Sequence, residues 1–296
     1  MKINRIRQNV FPVIAALIWG TAFVAQSVGA DYVEPFTFNA SRSAIASVFL
    51  FVLCCIMRGR RVKAGQPAAV GSRRDLLTGG ICCGAALAVA TALQQKGLET
   101  TTSGKAGFIT ALYIVLVPIA GIFLKKMPPK TIWLSVALAV AGLYCLCITE
   151  DFSITRGDFY ILLCAFCFTA HIMVIDHFTQ KVDGIELSCA QFFVATVISG
   201  LGMVLTETPR LEAVIACLGP ILYVGIFSSG VAYTLQILAQ KDSDPTVVSV
   251  LLSLESVFAV LAGAVILNDQ MSGREYFGCV LVLIAVVLAQ LPEPKK

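Results

Sequence analysis

Apolar residues along this chain gather into ten long runs, separated by short connections where the polar and charged positions collect. About 20 apolar residues suffice for a helix to cross a hydrocarbon core. The first five runs are Val10 to Val28, Phe36 to Met57, Leu76 to Gln95, Lys105 to Leu124 and Thr131 to Thr149. The second five are Phe159 to Phe178, Ile185 to Thr206, Val214 to Leu238, Thr246 to Leu267 and Tyr276 to Leu291. Because the runs are continuous, they predict helices; a barrel strand would alternate lipid-facing and lumen-facing residues. The expected fold class is an all-α integral membrane protein with ten transmembrane helices.

The segment Leu93 to Gly121 returns as Leu235 to Gly263, at a gapless offset of 142 residues. Leu93/Leu235, Gln94/Gln236, Leu112/Leu254, Val115/Val257, Ala120/Ala262 and Gly121/Gly263 are identical. Chance matches are common among apolar residues, so the polar Gln pair and the shared rhythm of span, loop and span carry more weight than the count. Five crossings per half is an odd number, which makes the second half enter the membrane from the opposite side. Two inverted five-helix repeats of this kind are the arrangement of secondary transporters. The repeats are expected at residues 10–149 (spans 1 to 5) and 158–291 (spans 6 to 10).

Composition agrees: 57% of residues are apolar and 14% charged, and the mean hydropathy is +0.85, which excludes an ordinary soluble domain. Orientation follows from the basic residues, since Lys- and Arg-rich loops stay in the cytoplasm. With the N-terminus inside, 16 of the 22 fall on the cytoplasmic side, including Arg58, Arg60, Arg61, Lys63, Arg73 and Arg74, and only Lys96, Lys105, Arg156, Arg210 and Arg274 fall on the other. Arg42 lies within a span. Both termini are therefore expected inside, in a multi-pass protein of the cell (plasma or inner) membrane. The net charge of +4 reflects this loop bias and requires no nucleic acid. Lys2, Arg5 and Arg7 ahead of an apolar run that ends near Ala25-Gln26-Ser27 resemble a signal peptide. Removing that run would leave nine spans and break the match between halves, so a retained helix is expected.

The 11 cysteines lie almost entirely inside the runs and read as small, polarizable packing residues. Cys164, Cys167 and His171 share a helical face, but a metal site would want a fourth ligand, so neither a metal nor a cofactor is expected. Polar residues within the spans are the stronger candidates, because a charge in hydrocarbon is costly and faces a cavity or a partner. Glu255, between Ser253 and Ser256, must be protonated, paired or wet; it is either a proton carrier or a helix-holding hydrogen-bond partner. Arg42, two turns into the second span, is expected to be structural or at the rim, snorkelling toward headgroups, with ligand contact as the other reading. His171 is either a proton relay or a histidine bonded to helix backbone. Gln94 and Gln236 occupy equivalent places, and their amides both donate and accept. Tyr113 aligns with Glu255, which sets the two on opposite walls of one cavity. Trp19 is a cavity wall or a packing residue, and Gly79, Gly80, Gly84 and Gly225 are read as close-packing positions.

At these residues the chain resembles the drug/metabolite transporter superfamily, specifically its ten-span members with two EamA domains. Trp19-Gly20-Thr21-Ala22-Phe23 resembles the opening Trp-Gly signature, Pro35-Phe36 followed by Arg42 the second-span pattern, and Ala106 to Gly121 with Pro118 the fourth span. Ser253-Leu254-Glu255-Ser256-Val257 resembles the Leu-Glu-Pro segment, with Ser256 where proline is usual. Leu124-Lys125-Lys126 and Leu267-Asn268-Asp269 stand where the family commonly has an acidic residue ending the fourth and ninth spans.

The resemblance implies a basket in which spans 1, 3, 4, 6, 8 and 9 surround a central cavity and spans 5 and 10 are peripheral. It implies export of amino acids or other small metabolites by rocking halves. Trp19, Tyr113 and Tyr233 would then be walls, and Gln94, Gln236, Glu255 and His171 would supply polar contacts. Apart from the resemblance, the chemistry of a carboxyl held in low dielectric makes Glu255 the expected coupling residue, with a fixed ion pair or hydrogen bond that only holds helices together as the competing reading. Pro118 is a structural position. The expected partners are a small-molecule substrate and the lipid bilayer, with a homodimer as one assembly. Two other classes stay open at this stage. An integral-membrane enzyme would need a clustered nucleophile and base. A channel would need charged rings or a carbonyl filter.

Overall fold

The computed structural model describes residues 2–65, 67, 71–101, 103–125, 128, 130–147, 155–266 and 271–291. The first three spans are Lys2–Ala30, Pro35–Lys63 and Arg73–Leu98. The fourth comes in two pieces, Ser103–Thr110 and Tyr113–Phe123, and the fifth is Lys130–Cys147. Arg156–Thr179 and Gly184–Thr206 follow; the eighth runs from Leu218–Tyr223 through a π-helical Val224–Ala232 into Tyr233–Gln240. The ninth is again in two pieces, Pro245–Leu252 and Leu254–Ile266, and Gly273–Ala289 is the tenth. A short helix, Leu211–Ala216, precedes the eighth. The expected span ends at 148–149 and Leu267, and the positions Lys126, Asn268 and Asp269, lie outside the described residues.

Among the described residues eight helices are long and apolar enough to cross a membrane. The fifth and tenth have 18 and 17 residues; at about 1.5 Å per residue they reach roughly 25–27 Å, near the ~30 Å of a hydrocarbon core. Polar residues in the connections set where helices begin. Asp183 accepts from the amides of Ile185 and Glu186, Asp244 from that of Thr246, and Thr155/Asp158 and Ser272/Glu275 form reciprocal capping boxes, each satisfying amides that the first helical turn leaves free.

The packing repeats when the halves are exchanged. Span 3 packs on 6 as 8 packs on 1, 1 on 9 as 6 on 4, and 3 on 7 as 8 on 2, while 2 meets 7 and 5 meets 10. Spans 2 and 7 are antiparallel. Phe36 lies by Gly202, Ser47 bonds Thr196 at 3.2 Å, and Arg61 pairs with Asp183. Spans 5 and 10 are antiparallel as well, Gly142 lying beside Val282 and Gly278 beside Leu146. Counterparts that meet antiparallel across an axis are what two inverted repeats require. In lipid no hydrophobic force holds helices together, so small residues that let backbones approach do the work. A Cβ on Gly142 would meet the Gly278 carbonyl oxygen at 2.8 Å, and the reverse substitution would meet the Gly142 oxygen at 2.6 Å. The expected close-packing glycines behave alike: Gly79, Gly80 and Gly84 lie against the sixth and seventh spans, and Gly225 lies against Ile45 and the Arg42 backbone.

The loops assigned by charge to one face do meet there, with Arg58 pairing Glu186 at 3.2 Å and Arg7 reaching Asp242 at 3.7 Å. At the opposite end Lys105 pairs with Asp158 at 2.5 Å. Large apolar side chains such as Phe51, Phe193, Val204 and Leu205 are exposed toward lipid, whereas Gln26, Arg42, Gln94, His171, Gln236 and Glu255 are buried. The polar residues are inside because lipid, not water, is the solvent of the outer surface.

Candidate functional site

The breaks in the fourth and ninth spans fall at equivalent positions. Ser103–Thr110 and Pro245–Leu252 are 142 residues apart at both ends. At each break the backbone tightens to three-residue hydrogen bonds: Ile114 N–H to the Ala111 oxygen at 3.0 Å, Val115 N–H to Leu112 at 2.9 Å, and Ser256 N–H to Ser253 at 3.3 Å. The Ser253 hydroxyl also donates back to the Val250 carbonyl at 2.6 Å, the local competition that bends helices at serine. Pro118 is buried one and a half turns further along, where its missing N–H weakens the helix again. Just beyond the two breaks stand Tyr113 and Glu255. Their side chains touch: the Tyr113 hydroxyl donates to Glu255 Oε1 at 3.2 Å.

Both residues line a chamber of about 40 Å³, room for a few waters. Trp19, Gln94, Tyr233 and Gln236 line it as well. The Trp19 and Tyr233 rings lie 4.7 Å apart, and the Trp19 indole N–H donates to the Ser228 carbonyl at 3.3 Å. That carbonyl also accepts the Tyr233 amide five residues on, the wide spacing of a π-helix, a feature frequent at functional sites. Gln94 Nε2 donates to Thr110 Oγ1 at 3.3 Å, while Gln236 Oε1 is buried without a donor. His171 stands one layer back. Its Nε2 is 2.9 Å from Gln191 Oε1 and its ring meets the edge of Tyr233 at 5.9 Å. Among the described residues no three metal-type side chains converge, and the Cys164, Cys167 and His171 face does not form a ligand set.

Arg42 corrects the expectation of snorkelling. It is 3% exposed, it lines the chamber, and its Nη1 donates to Gln26 Oε1 at 2.9 Å. Pro35, Asn39, Arg42, Ser43, Ala46 and Leu50 are all buried, so the guanidinium sits on the inward stripe of its helix, and the lipid face is carried by Val48, Phe51 and Val52. Span 2 thus joins the chamber wall. Gln26 is itself held through its backbone oxygen, which accepts from Gln95 Nε2 at 3.0 Å. Sequence reasoning passed over Phe23, Gln26, Thr110, Phe168, Ile172, Ser228 and Leu252, which also line the chamber; Gln26, a polar residue in an apolar run, was the one visible signal.

Ten spans in two inverted repeats, with broken helices meeting at a buried polar chamber, define a membrane transporter of the inverted-repeat class. The chain matches the EamA-like transporter family over residues 8–148 and again over 155–291, and it belongs to that family. It is 32% identical over 293 residues to an uncharacterized transporter of Archaeoglobus fulgidus, covering 98% of this chain and 87% of that one. It is 24% identical to the uncharacterized transporter YwfM of Bacillus subtilis, covering 97% and 95%, and 26% identical to a chloroplastic WAT1-related protein of Arabidopsis thaliana, covering 93% and 67%. A solved crystal structure superposes with a TM-score of 0.76 at 18% identity over 96% of each chain, which shows a shared fold. The chain is a multi-pass transporter, not an enzyme.

Proposed function

We propose that this transporter exports a small polar or amphipathic metabolite, an amino acid or a related compound, by alternating access coupled to protons at Glu255. Its setting is the cell membrane with both termini in the cytoplasm, Trp19, Gln94, Tyr113, His171, Tyr233 and Gln236 forming or backing the substrate site. The observation that carries the reading is the contact between Tyr113 and Glu255. One residue comes from each half, each follows a helix break, and the pair sits where two rocking halves would open in turn to either side. The chamber volume of about 40 Å³ supports an occluded arrangement, since sites for small ligands run to roughly 300–1,000 Å³; the halves must part before a metabolite enters. A tyrosine hydroxyl beside the carboxyl gives Glu255 a donor when ionised and leaves it able to take up a proton once one side opens.

The test uses the full chain in proteoliposomes loaded with unlabelled amino acids, with labelled amino acids outside. Wild type is expected to show saturable counterflow that an inside-acid pH gradient accelerates, as proton exit is exchanged for substrate entry. Glu255→Gln is expected to keep counterflow and lose the acceleration. Unchanged rate and pH dependence in that variant rule out the proton-carrier role. Loss of counterflow together with loss of thermal stability would instead favour the pair as a helix clasp.

A further inference from the structure

The chamber contains a cation that coupling at Glu255 leaves without a task. Arg42 is 3% exposed, its Nε has no acceptor, its Nη1 reaches only the neutral Gln26 side chain, and among the described residues no carboxylate lies within ion-pair distance of it. Burying a guanidinium without a counter-anion is expensive, because its hydration is lost and nothing replaces it. The fork of N–H groups on a planar guanidinium fits a carboxylate bidentately. We propose that Arg42 is the carboxylate anchor of the substrate site, oriented by Gln26, and that the substrate is a small amphipathic zwitterion.

Three features of the lining argue for that class. Among the described residues Arg42 is the one basic side chain that lines the chamber, which suits a monoanionic carboxylate and leaves a phosphate dianion undercompensated. The unpaired Gln236 Oε1 is an acceptor that calls for a donor, and an ammonium supplies one, with the Glu255 carboxyl, already accepting from Tyr113, able to accept a second. Trp19, Phe168 and Tyr233 offer aromatic walls to an apolar side chain. The assignment rests on the carrier reading only in placing the ligand in this chamber, and needs no proton coupling.

The experiment is thermal unfolding of the detergent-purified full chain with three matched probe sets. These are L-leucine, L-methionine and L-phenylalanine; the amines left when each loses its carboxylate; and the acids left when each loses its amine. At least one amino acid is expected to raise the wild-type Tm while its amine does not. Arg42→Gln is expected to weaken that amino acid at least tenfold, equivalent to ~1.4 kcal/mol, with Arg42→Lys restoring part of the loss. Amines that protect as well as their parent amino acids, undiminished affinity in Arg42→Gln, or no protection of wild type by any probe would each overturn the assignment. Should Arg42→Gln not fold, the wild-type comparison of amino acid with amine decides alone. No gradient enters this assay, so failure of proton coupling at Glu255 would leave the anchor standing, and failure here with intact gradient-driven flux would remove the anchor alone.

Discussion

Gly20 is where the first span packs against the ninth-span backbone at Glu255, and a single methyl group tests that closeness. A Cβ at this position lies 2.6 Å from the Glu255 carbonyl oxygen, 2.7 Å from Phe258 Cβ and 2.8 Å from the Ala259 nitrogen. Two of those atoms are backbone, so no rotamer change relieves the clash. Ordinary contact begins at 3.4 Å, and the first and ninth spans must therefore separate by about 0.8 Å in a close-packed interface. The Tyr113–Glu255 hydrogen bond, at 3.2 Å, is already beyond the usual O–H···O length and is lost as well if the ninth span is the one that moves away from the fourth. Overpacking costs about 1–3 kcal/mol and a lost bond up to ~1 kcal/mol, against which alanine's better helix propensity returns up to ~1 kcal/mol, so Gly20→Ala is expected to destabilise by roughly 1–3 kcal/mol. The assay is equilibrium unfolding in mixed detergent and dodecyl sulfate micelles, with Gly200→Ala as the control. Gly200 is helical and has nothing within 4 Å of its Cβ position, so alanine there is expected to stabilise by up to ~1 kcal/mol. If Gly20→Ala tracks Gly200→Ala, the first span does not enclose Glu255 and the chamber as described is wrong.

Two further substitutions probe separate parts of the argument. Tyr113→Phe removes the donor to Glu255 and is expected to lower stability by about 0.5–1.5 kcal/mol and to shift the pH profile of counterflow; an unmoved profile would mean the hydroxyl does not act on the carboxyl. Glu207→Gln addresses the scaffold: its carboxylate accepts from the Phe36 and Thr37 amides at 2.7 Å each and from the Thr37 hydroxyl at 2.8 Å, closing the start of the second span from the end of the seventh. An amide has one accepting oxygen, so a loss of about 1–3 kcal/mol in unfolding free energy is expected, and a loss under ~0.5 kcal/mol would show that water satisfies those amides equally well.

The spans were legible because lipid forces long apolar runs, and the correspondence of Tyr113 with Glu255 was legible because the offset of 142 holds without a gap through spans 3, 4, 8 and 9; that the two side chains touch was not. The helix breaks were not. Neither Ala111-Leu112 nor Ser253 is flanked by the Gly or Pro that usually marks a kink, and Pro118 lies well past the break. Nor was the π-helical stretch of the eighth span legible; its Ser228 carbonyl accepts from Trp19 and its Gly230 packs on Phe49, contacts with other helices that sequence does not show. Arg42 was misjudged because depth in a span is read from sequence far more easily than rotation about its axis; which side faces inward depended on Gln26 from another helix.

The repeat runs further around the chamber than the identities suggest. Spans 1 and 2 end and begin at Ala30 and Pro35, spans 6 and 7 at Thr179 and Gly184, an offset of 149, so the connections between the two blocks differ in length and one alignment cannot cover both. At 149 residues Trp19 corresponds to Phe168 and Phe23 to Ile172; at 142, Gln94 corresponds to Gln236, Thr110 to Leu252 and Tyr113 to Glu255; all of these line the chamber. Symmetry therefore builds much of the wall, apolar matching apolar at Trp19/Phe168 and Phe23/Ile172 and amide matching amide at Gln94/Gln236, while Thr110/Leu252 differ in polarity. The charges break it. Arg42 corresponds to Gln191, which bonds His171 behind the wall, and Glu255 corresponds to a tyrosine. A scaffold whose halves exchange can open to either side with similar packing, whereas a cation in one half and an acid in the other would give the proposed zwitterion one preferred direction. On that proposal, orientation of the substrate, and with it any unequal affinity between the two open states, falls to Arg42 and Glu255, both of which lie outside the set of positions that the repeat makes alike.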